Sequence, residues 1–445
     1  MARSVAVVGS GPSGFYAAAA VLKQEPDARV DVLDRLPTPY GLVRGGVAPD
    51  HQKVKTVVRA FGCTAALPGF RFLGNVELGR HVTLEELQGL YDQVILAVGA
   101  PRGRTLGVPG EDLPGVHTAT DFVGWYNGHP DHQDLRFDLD AHDVVVVGMG
   151  NVAMDVTRIL ASAPGRLDTT DITDRALQRL RHGTRRRIHV LGRRGPVQAA
   201  FTPKEAQEIA ALDGVQVCAR AVEAAVDPVS AAWLAEHGGR SEQANVDMVA
   251  GAVHGEHGRR RMEVWLRFLV SPVAFLGEGR LEAVRVERNT LVDRGDRIAC
   301  RPTGVFEEIP CQAAFLAVGY RSVPIPGVPF DADAGIVPND GGAVLDGSAG
   351  VPDLFVVGWA KRGPSGLIGH NRADSVAVVE RMLATPVVRA SSGVDPLDVL
   401  GGRTRVVTWA DWERLDAHEV AAGEARGRPR VKLTDVDAML GLLEK

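Results

Sequence analysis

Cysteine is scarce in this chain of 445 residues: Cys63, Cys218, Cys300 and Cys311 are scattered, and no C-x-x-C pair occurs. That spacing supports neither a redox dithiol, an iron–sulfur cluster nor a zinc site, so the four read as reduced packing or surface thiols. Long apolar runs are missing as well, and no stretch approaches the length of a membrane span. Positive charge is not in surplus. With 50 Lys and Arg against 55 Asp and Glu, the net charge of −5 implies no general affinity for nucleic acid or anionic membranes. A strand is entered by Val5, which leaves no room for a signal or transit peptide, and a cytoplasmic protein is expected.

What is present is long enough for two to three domains. The most informative stretch runs from Val144 to Pro196. Four consecutive valines, Val144 to Val147, read as a buried parallel strand. Gly148, Gly150 and Ala153 follow at the G-x-G-x-x-G/A spacing that lets a backbone turn tightly against a pyrophosphate. Asn151, Val152 and Ala153 open a helix running to Leu160, whose N-terminus would face the diphosphate. The next strand ends near Leu191. A NAD site would place a carboxylate there for the ribose 2′-hydroxyl, whereas this chain places Arg193 and Arg194. That pair suits a 2′-phosphate, and so NADPH.

The same grammar opens the chain. A strand from Val5 to Val8 leads to Gly9, Gly11, Pro12, Ser13 and Gly14, then to an alanine-rich helix. A second strand, RVDVLD, ends on Asp34, 20 positions after Gly14. An acid there hydrogen-bonds the ribose of a dinucleotide without a 2′-phosphate. One acid-type and one arginine-type site together imply FAD plus NADPH. Nicotinamide gives a hydride, and a flavin takes two electrons and releases them singly.

RLPTPYGLVRGGVAPDHQKVK (Arg35 to Lys55) is rich in Pro and Gly without a clean period, and reads as a long ordered loop of functional kind. Here, and in LDTTDI (Leu167 to Ile172), GRRGPVQAAFT (Gly192 to Thr202), VGWAKRGPSGLIG (Val357 to Gly369), WADWERLDAHE and GRPRVK, the chain resembles ferredoxin–NADP reductases of the adrenodoxin reductase type. The resemblance covers almost the whole chain. Asp34 stands where that family more often has Glu, Gly45 replaces an aromatic, and Gln52 replaces a proline. The resemblance implies FAD contacts at Leu42, Leu78, Trp359 and Gly366 to Ile368 (Leu367 between them), with Gly366 also near the nicotinamide. It implies that His51 and Glu205 organise the nicotinamide and the proton that accompanies hydride transfer. From the sequence alone Glu205 is a dipole-stabilising carboxylate, in a helix that Thr202 caps and Pro203 leads.

The expected architecture is α/β: two Rossmann-like dinucleotide-binding domains, the second inserted into the first. FAD would take residues 1–103 and 311–445, and NADPH residues 104–310. Phe315 to Ser322 would bring the chain back to the first domain. Residues 216–310 read as strands with a polar excursion around Ser241 to Arg261, in which Gly258 to Arg261 is a solvated turn. The segment from Pro386 onward, with a helix around Trp409 to Ala422, receives no chemistry. Eight arginines and no acid lie between Arg175 and Ala200. Of these, Arg179, Arg181, Arg185, Arg186 and Arg187 are candidates for docking an acidic ferredoxin, with a solubilising helix face as the alternative. The expected activity is NADPH:ferredoxin oxidoreduction. Two other readings stand beside it: a flavoenzyme with another acceptor, such as a monooxygenase, and a nucleotide-sensing flavoprotein without turnover. A disulfide reductase is disfavoured by the missing C-x-x-C.

Overall fold

The computed structural model describes residues 2–253, 261–295, 297–366 and 368–444. Strands β1 (Ser4–Val8), β2 (Arg29–Asp34), β3 (Phe70–Gly74) and β4 (Gln93–Leu96) run parallel, and β5 (Arg102–Gly103) then leaves their sheet. A second sheet takes β6 (Val116–Thr118), β7 (Asp143–Val147), β8 (Arg187–Leu191), β9 (Val215–Ala219) and β10 (Met262–Arg267). The antiparallel trio β11 (Val270–Leu276), β12 (Ala283–Asp293) and β13 (Ile298–Pro310) follows. β14 (Ala313–Leu316) returns to the second sheet and β15 (Tyr320–Arg321) pairs with β5. Finally β16 (Asn339–Asp340), β17 (Ala343–Asp346) and β18 (Ala349–Val356) rejoin the first sheet.

Among the described residues the first sheet has the order β16-β17-β18-β4-β1-β2-β3 and the second β6-β14-β7-β8-β10-β9. In each, the strand carrying the glycine fingerprint sits where the strand order reverses, β1 between β4 and β2, β7 between β14 and β8. That reversal opens a crevice at the carboxyl ends of the strands, the place where open α/β sheets take their ligands. Both fingerprint strands are covered on both faces: Val5, Ala6 and Val7 are fully buried, as are Val145 and Val146. Continuous apolar runs are what a strand buried on both faces requires.

One boundary and one stretch of secondary structure differ from the sequence expectation. The return to the first domain does not fall at residue 311, because Ala313–Leu316 pairs with both Val116–Thr118 and Val144–Val147 in the second sheet. The crossing is the ribbon in which Tyr320 lies opposite Gly103 and Arg321 opposite Arg102. Residues 216–310 are not all strand and excursion either. Pro228–His237 and Arg240–Val253 are helices, the first capped by Asp227, whose carboxylate accepts from the N–H groups of Val229 and Ser230. Asn245 and Val249 of the second helix are buried. Gly258 to Arg260 lie outside the described residues, and Arg261 is half-buried, with its guanidinium on the carbonyl of Ala161 at 2.5 Å.

Candidate active site

The first cradle forms where β1 ends. Gly9 has φ +112°, and a Cβ on it would meet the carbonyl oxygen of Ala97 at 2.4 Å. A Cβ on Gly14 would lie 1.9 Å from the carbonyl oxygen of Gly9, whereas one on Gly11 would meet nothing within 4 Å. Two glycines thus allow close packing, and the third leaves its backbone open on the ligand side. Helix α1 (Pro12–Gln24) starts there with no side-chain cap and no acid in its first turn. Its first N–H groups are available to an anion. Ser13 packs against the turn after β18, since a Cβ on Gly358 would meet its Oγ at 2.2 Å.

Asp34 ends β2 beside this turn. Its Oδ2 accepts from Ser10 N–H at 3.0 Å and from Ser10 Oγ at 2.5 Å, and its Oδ1 from Leu36 N–H at 2.9 Å. A carboxylate has lone pairs beyond these three bonds, so a ribose hydroxyl can still be read. A shallow cleft opens beside it, lined by Asp34, Thr38, Gly41, Asn127 and His129. Gly41 has φ +48° and comes so near the fingerprint that its Cβ would lie 3.0 Å from the Gly11 Cα. The adjoining Leu42 is exposed, and Leu78 is buried. Trp359 keeps its indole Nε1 buried without a partner among the described residues, and its ring lies 5.4 Å from that of Tyr320. An orphaned indole donor and an open glycine cradle fit a bound FAD. Gly366 is exposed at φ +81°, and helix α4 (Ile368–Ala384) begins just after it with no acid in its first turn. Leu367 lies outside the described residues.

The second cradle repeats the first. A Cβ on Gly148, at φ +130°, would meet the Ala317 carbonyl oxygen at 2.3 Å, while one on Gly150 would meet nothing within 4 Å. Helix α2 (Asn151–Ala161) starts without a side-chain cap or a first-turn acid, and Ala153 is wholly buried. Val152 is half-buried. The Asn151 side chain turns to the protein instead, where its Oδ1 accepts from Thr202 N–H at 2.8 Å and ties the fingerprint to helix α3 (Pro203–Ala210). Thr202 occupies the N-cap position of α3, yet its side chain makes no capping bond, contrary to expectation. Arg193 is exposed and Arg194 half-buried, and neither pairs with a carboxylate among the described residues. Burial and the adjacent Arg193 charge both push the Arg194 guanidinium below its ordinary value. Two neighbouring cations without a counterion fit a phosphate dianion.

Between the cradles lies an ionic cluster. His51, carried by the loop after β2, places Nε2 2.9 Å from Glu208 and 3.8 Å from Glu205, both on α3. Its Nδ1 lies 3.7 Å from Asp155 of α2. Arg158, with a side chain fully buried, bonds Asp50 at 2.8 and 3.0 Å, Glu205 at 3.0 Å and Asp155 at 2.7 Å. Burial raises Glu205, as does Asp155, against the pull of His51 and Arg158. Burial likewise lifts Asp155. For Asp50 burial is overridden by Arg158, and for Glu208 by His51 and Arg158, so both stay below the carboxylate norm. The site therefore holds carboxyls pushed in opposite directions, the arrangement expected where protons are handled.

Of this cluster the sequence singled out His51 and Glu205 but not Asp50, Asp155, Arg158 and Glu208. The i,i+3 spacings of Asp155 with Arg158 and of Glu205 with Glu208 put each pair on one helix face, a signal available in advance.

The arginine-rich segment is not one surface. Arg185 is buried, and its guanidinium donates to the carbonyls of Leu160 at 3.1 Å, Leu139 at 2.7 Å and Leu180 at 2.8 Å. Burial brings it down to about 10, so it is a structural plug and cannot dock a partner. Arg179 faces Asp140 at 3.7 Å, Arg181 pairs with Asp168, and Arg187 lies 3.3 Å from Asp143 and 3.4 Å from Glu263. Arg186 is exposed.

Two fingerprint cradles, one closed by an acid and one by arginines, meeting at a His–carboxylate cluster, define a two-dinucleotide oxidoreductase. The chain belongs to the pyridine nucleotide-disulphide oxidoreductase family, whose pattern matches residues 3–253, and within it to the branch of adrenodoxin-type reductases. It is 44% identical to NADPH-ferredoxin reductase FprA of Mycobacterium tuberculosis, over 98% of each chain. It is 40% identical to the mitochondrial NADPH:adrenodoxin oxidoreductase of Bos taurus, over 99% of this chain and 92% of that one. The solved structure of Mycobacterium tuberculosis FprA in complex with NADPH superposes with a TM-score of 0.94 over 100% of both chains.

Proposed function

We infer that the protein is an FAD-dependent NADPH:ferredoxin oxidoreductase. The observation that carries this is the contact of His51, from the acid-type half, with Glu208 and Glu205, from the arginine-type half, at 2.9 and 3.8 Å. A nicotinamide laid between the halves would meet those groups. FAD, when bound, supplies the conversion of a two-electron hydride donor into single electrons for an iron–sulfur acceptor.

In this reading Gly9, Gly11, Pro12, Ser13, Gly14, Asp34, Leu42, Leu78, Trp359, Gly366, Leu367 and Ile368 hold FAD. Gly148, Gly150, Asn151, Val152, Ala153, Arg193, Arg194, Glu205 and Gly366 hold NADPH. Hydride transfer needs no protein base, so most of the rate comes from positioning. His51 and Glu205 orient the nicotinamide and hold the proton that enters or leaves with the hydride. Arg158 keeps the surrounding carboxylates in place. Of the arginine-rich segment, the exposed Arg179, Arg181, Arg186 and Arg187 remain available to an acidic ferredoxin, three of them in competition with Asp140, Asp168, Asp143 and Glu263, and buried Arg185 is excluded. The four cysteines are unpaired, which accords with work in the reducing cytoplasm. No helix among the described residues is long and apolar enough to cross a membrane.

Anaerobic addition of one equivalent of NADPH to the FAD-loaded protein tests the reading. Rapid bleaching of the flavin band, much slower with NADH, is expected. A flavin that NADPH leaves oxidised would overturn it.

A further inference from the structure

The loop that carries His51 is held at one end by the far end of the chain and at the other by Asp171, which the far end also grips. At one end Arg44 donates to Glu419 of helix α5 (Trp409–Glu424) at 2.8 and 2.5 Å, and Glu419 is wholly buried. At the other, Lys55 donates to both oxygens of Asp171 at 2.7 Å. Lys432 closes on the same carboxylate at 3.1 Å, and the side chains of Asp171 and Lys432 are 4% and 1% exposed. Arg428 grips the stretch around Asp171, donating to the carbonyls of Thr170 (2.9 Å) and Ile172 and to the carboxylate of Asp174. LDTTDI and GRPRVK therefore meet, though 258 positions separate Thr170 from Arg428.

Between the two anchors stands Gln52. Its side-chain amide donates to the Pro49 carbonyl at 2.7 Å and to Asp171 Oδ1 at 2.9 Å. Both amide hydrogens are thereby used, one on each side of Asp50 and His51. The bracket adds to the Asp50–Arg158 bonds, which tie the middle of the turn to the second unit, a fastening on its far side. The four-residue helix Gln52–Lys55 has no side-chain cap and no buried residue. Stability alone is a poor reason for this arrangement, since taking the Asp171 carboxylate and the Lys432 side chain out of water carries a desolvation cost that their attraction must first offset.

We propose that Gln52 and Asp171 are positioning residues for His51: with Lys55 and Lys432 they lock the 49–55 turn of the first unit onto the second, so that the imidazole meets α3. The proposal rests on the role assigned to His51 above. Neither residue touches the reacting atoms. Losing the bracket should misplace His51 by a fraction of an ångström to an ångström, and misplacement on that scale costs up to roughly a hundredfold in rate.

The experiment uses the FAD-loaded protein and the variants Gln52→Leu, Asp171→Asn, His51→Gln and the double variant Gln52→Leu/His51→Gln. Gln52→Leu keeps the volume, so the test stands even where Asp171→Asn fails to fold. The limiting rate of flavin reduction by NADPH should fall about tenfold in Gln52→Leu, with the Kd for NADP⁺ within about twofold. The double variant should be no slower than His51→Gln alone. Amide hydrogen exchange of residues 49–56 should quicken about tenfold while that of 144–161 stays unchanged. Fully additive rate losses, or unchanged exchange at 49–56, would overturn the proposal. If His51→Gln reduces at the wild-type rate, the role given to His51 fails, and the exchange measurement alone decides whether the bracket holds the turn.

Discussion

Replacing Arg193 and Arg194 together by alanine should convert a coenzyme-selective enzyme into one that treats NADPH and NADH nearly alike. The magnitude follows from their setting. Each guanidinium lacks a carboxylate partner among the described residues, so each can give its full hydrogen-bonding capacity to a 2′-phosphate. A hydrogen bond to a charged group contributes about 1.5–3 kcal/mol. Arg193 is exposed and Arg194 half-buried, which places both at the low end. Their joint loss then costs about 3 kcal/mol, on the order of a hundredfold in kcat/KM for NADPH. NADH has no 2′-phosphate and should lose less than about threefold. Steady-state rates with a dye acceptor, at fixed ionic strength, measure both coenzymes on one preparation. An equal fall for NADPH and NADH would remove the 2′-phosphate assignment, because the arginines would then be supporting the fold or the shared part of the coenzyme.

Three further outcomes follow from the geometry. Gly14→Ala puts a methyl 1.9 Å from a backbone oxygen and should yield protein that purifies without FAD, whereas Gly150→Ala has open space and should fold, keep FAD and lose NADPH affinity; absorbance ratio and coenzyme titration separate the two. Arg158→Leu strands Asp50, Asp155 and Glu205 without their shared cation, and should destabilise the protein by about 3–5 kcal/mol, read as a fall in thermal midpoint and as lost flavin reduction. Lys432 faces Asp171, Lys55, Asn127 and the carbonyl of Arg44; burial, opposed by Asp171, brings its ammonium down to about 7 from 10.5. Between those values the folded protein holds Lys432 neutral while the unfolded chain binds a proton. Stability relative to Lys432→Met should therefore rise with pH across that window and be flat below it, which denaturation at a series of pH values tests.

The parts of the molecule written in short, regular patterns were readable from the sequence. Strand, glycines, helix and the residue closing the next strand recur within a few tens of positions, because a pyrophosphate on a βαβ turn requires them together. The glycine cradles, and the positions of Asp34 and of Arg193 and Arg194 beside them, come from that local grammar. Helices Pro228–His237 and Arg240–Val253 escaped because their apolar residues are not gathered cleanly on one face, and few of their residues are buried. Charge alone could not tell a surface arginine from Arg185, whose fate depends on three carbonyls as far as 46 positions away. The cluster around Arg158 was likewise hidden, since His51 and Glu208 stand 157 positions apart. Only chain closure brings them together. The C-terminal segment showed least. Its composition suggests a tail, yet Glu419, Arg428 and Lys432 are buried and grip the loop of His51 and the turn around Asp171.

The central claim is that electrons from NADPH leave this protein one at a time to an iron–sulfur partner. The most direct measurement is NADPH-driven cytochrome c reduction by the purified FAD-loaded protein, with and without a [2Fe–2S] ferredoxin. A large ferredoxin-dependent increase, weakened by salt as expected for a charged docking face, is the predicted result. Rapid flavin reduction by NADPH with no increase for any ferredoxin tried would contradict the claim and point to a different acceptor at the same cofactors.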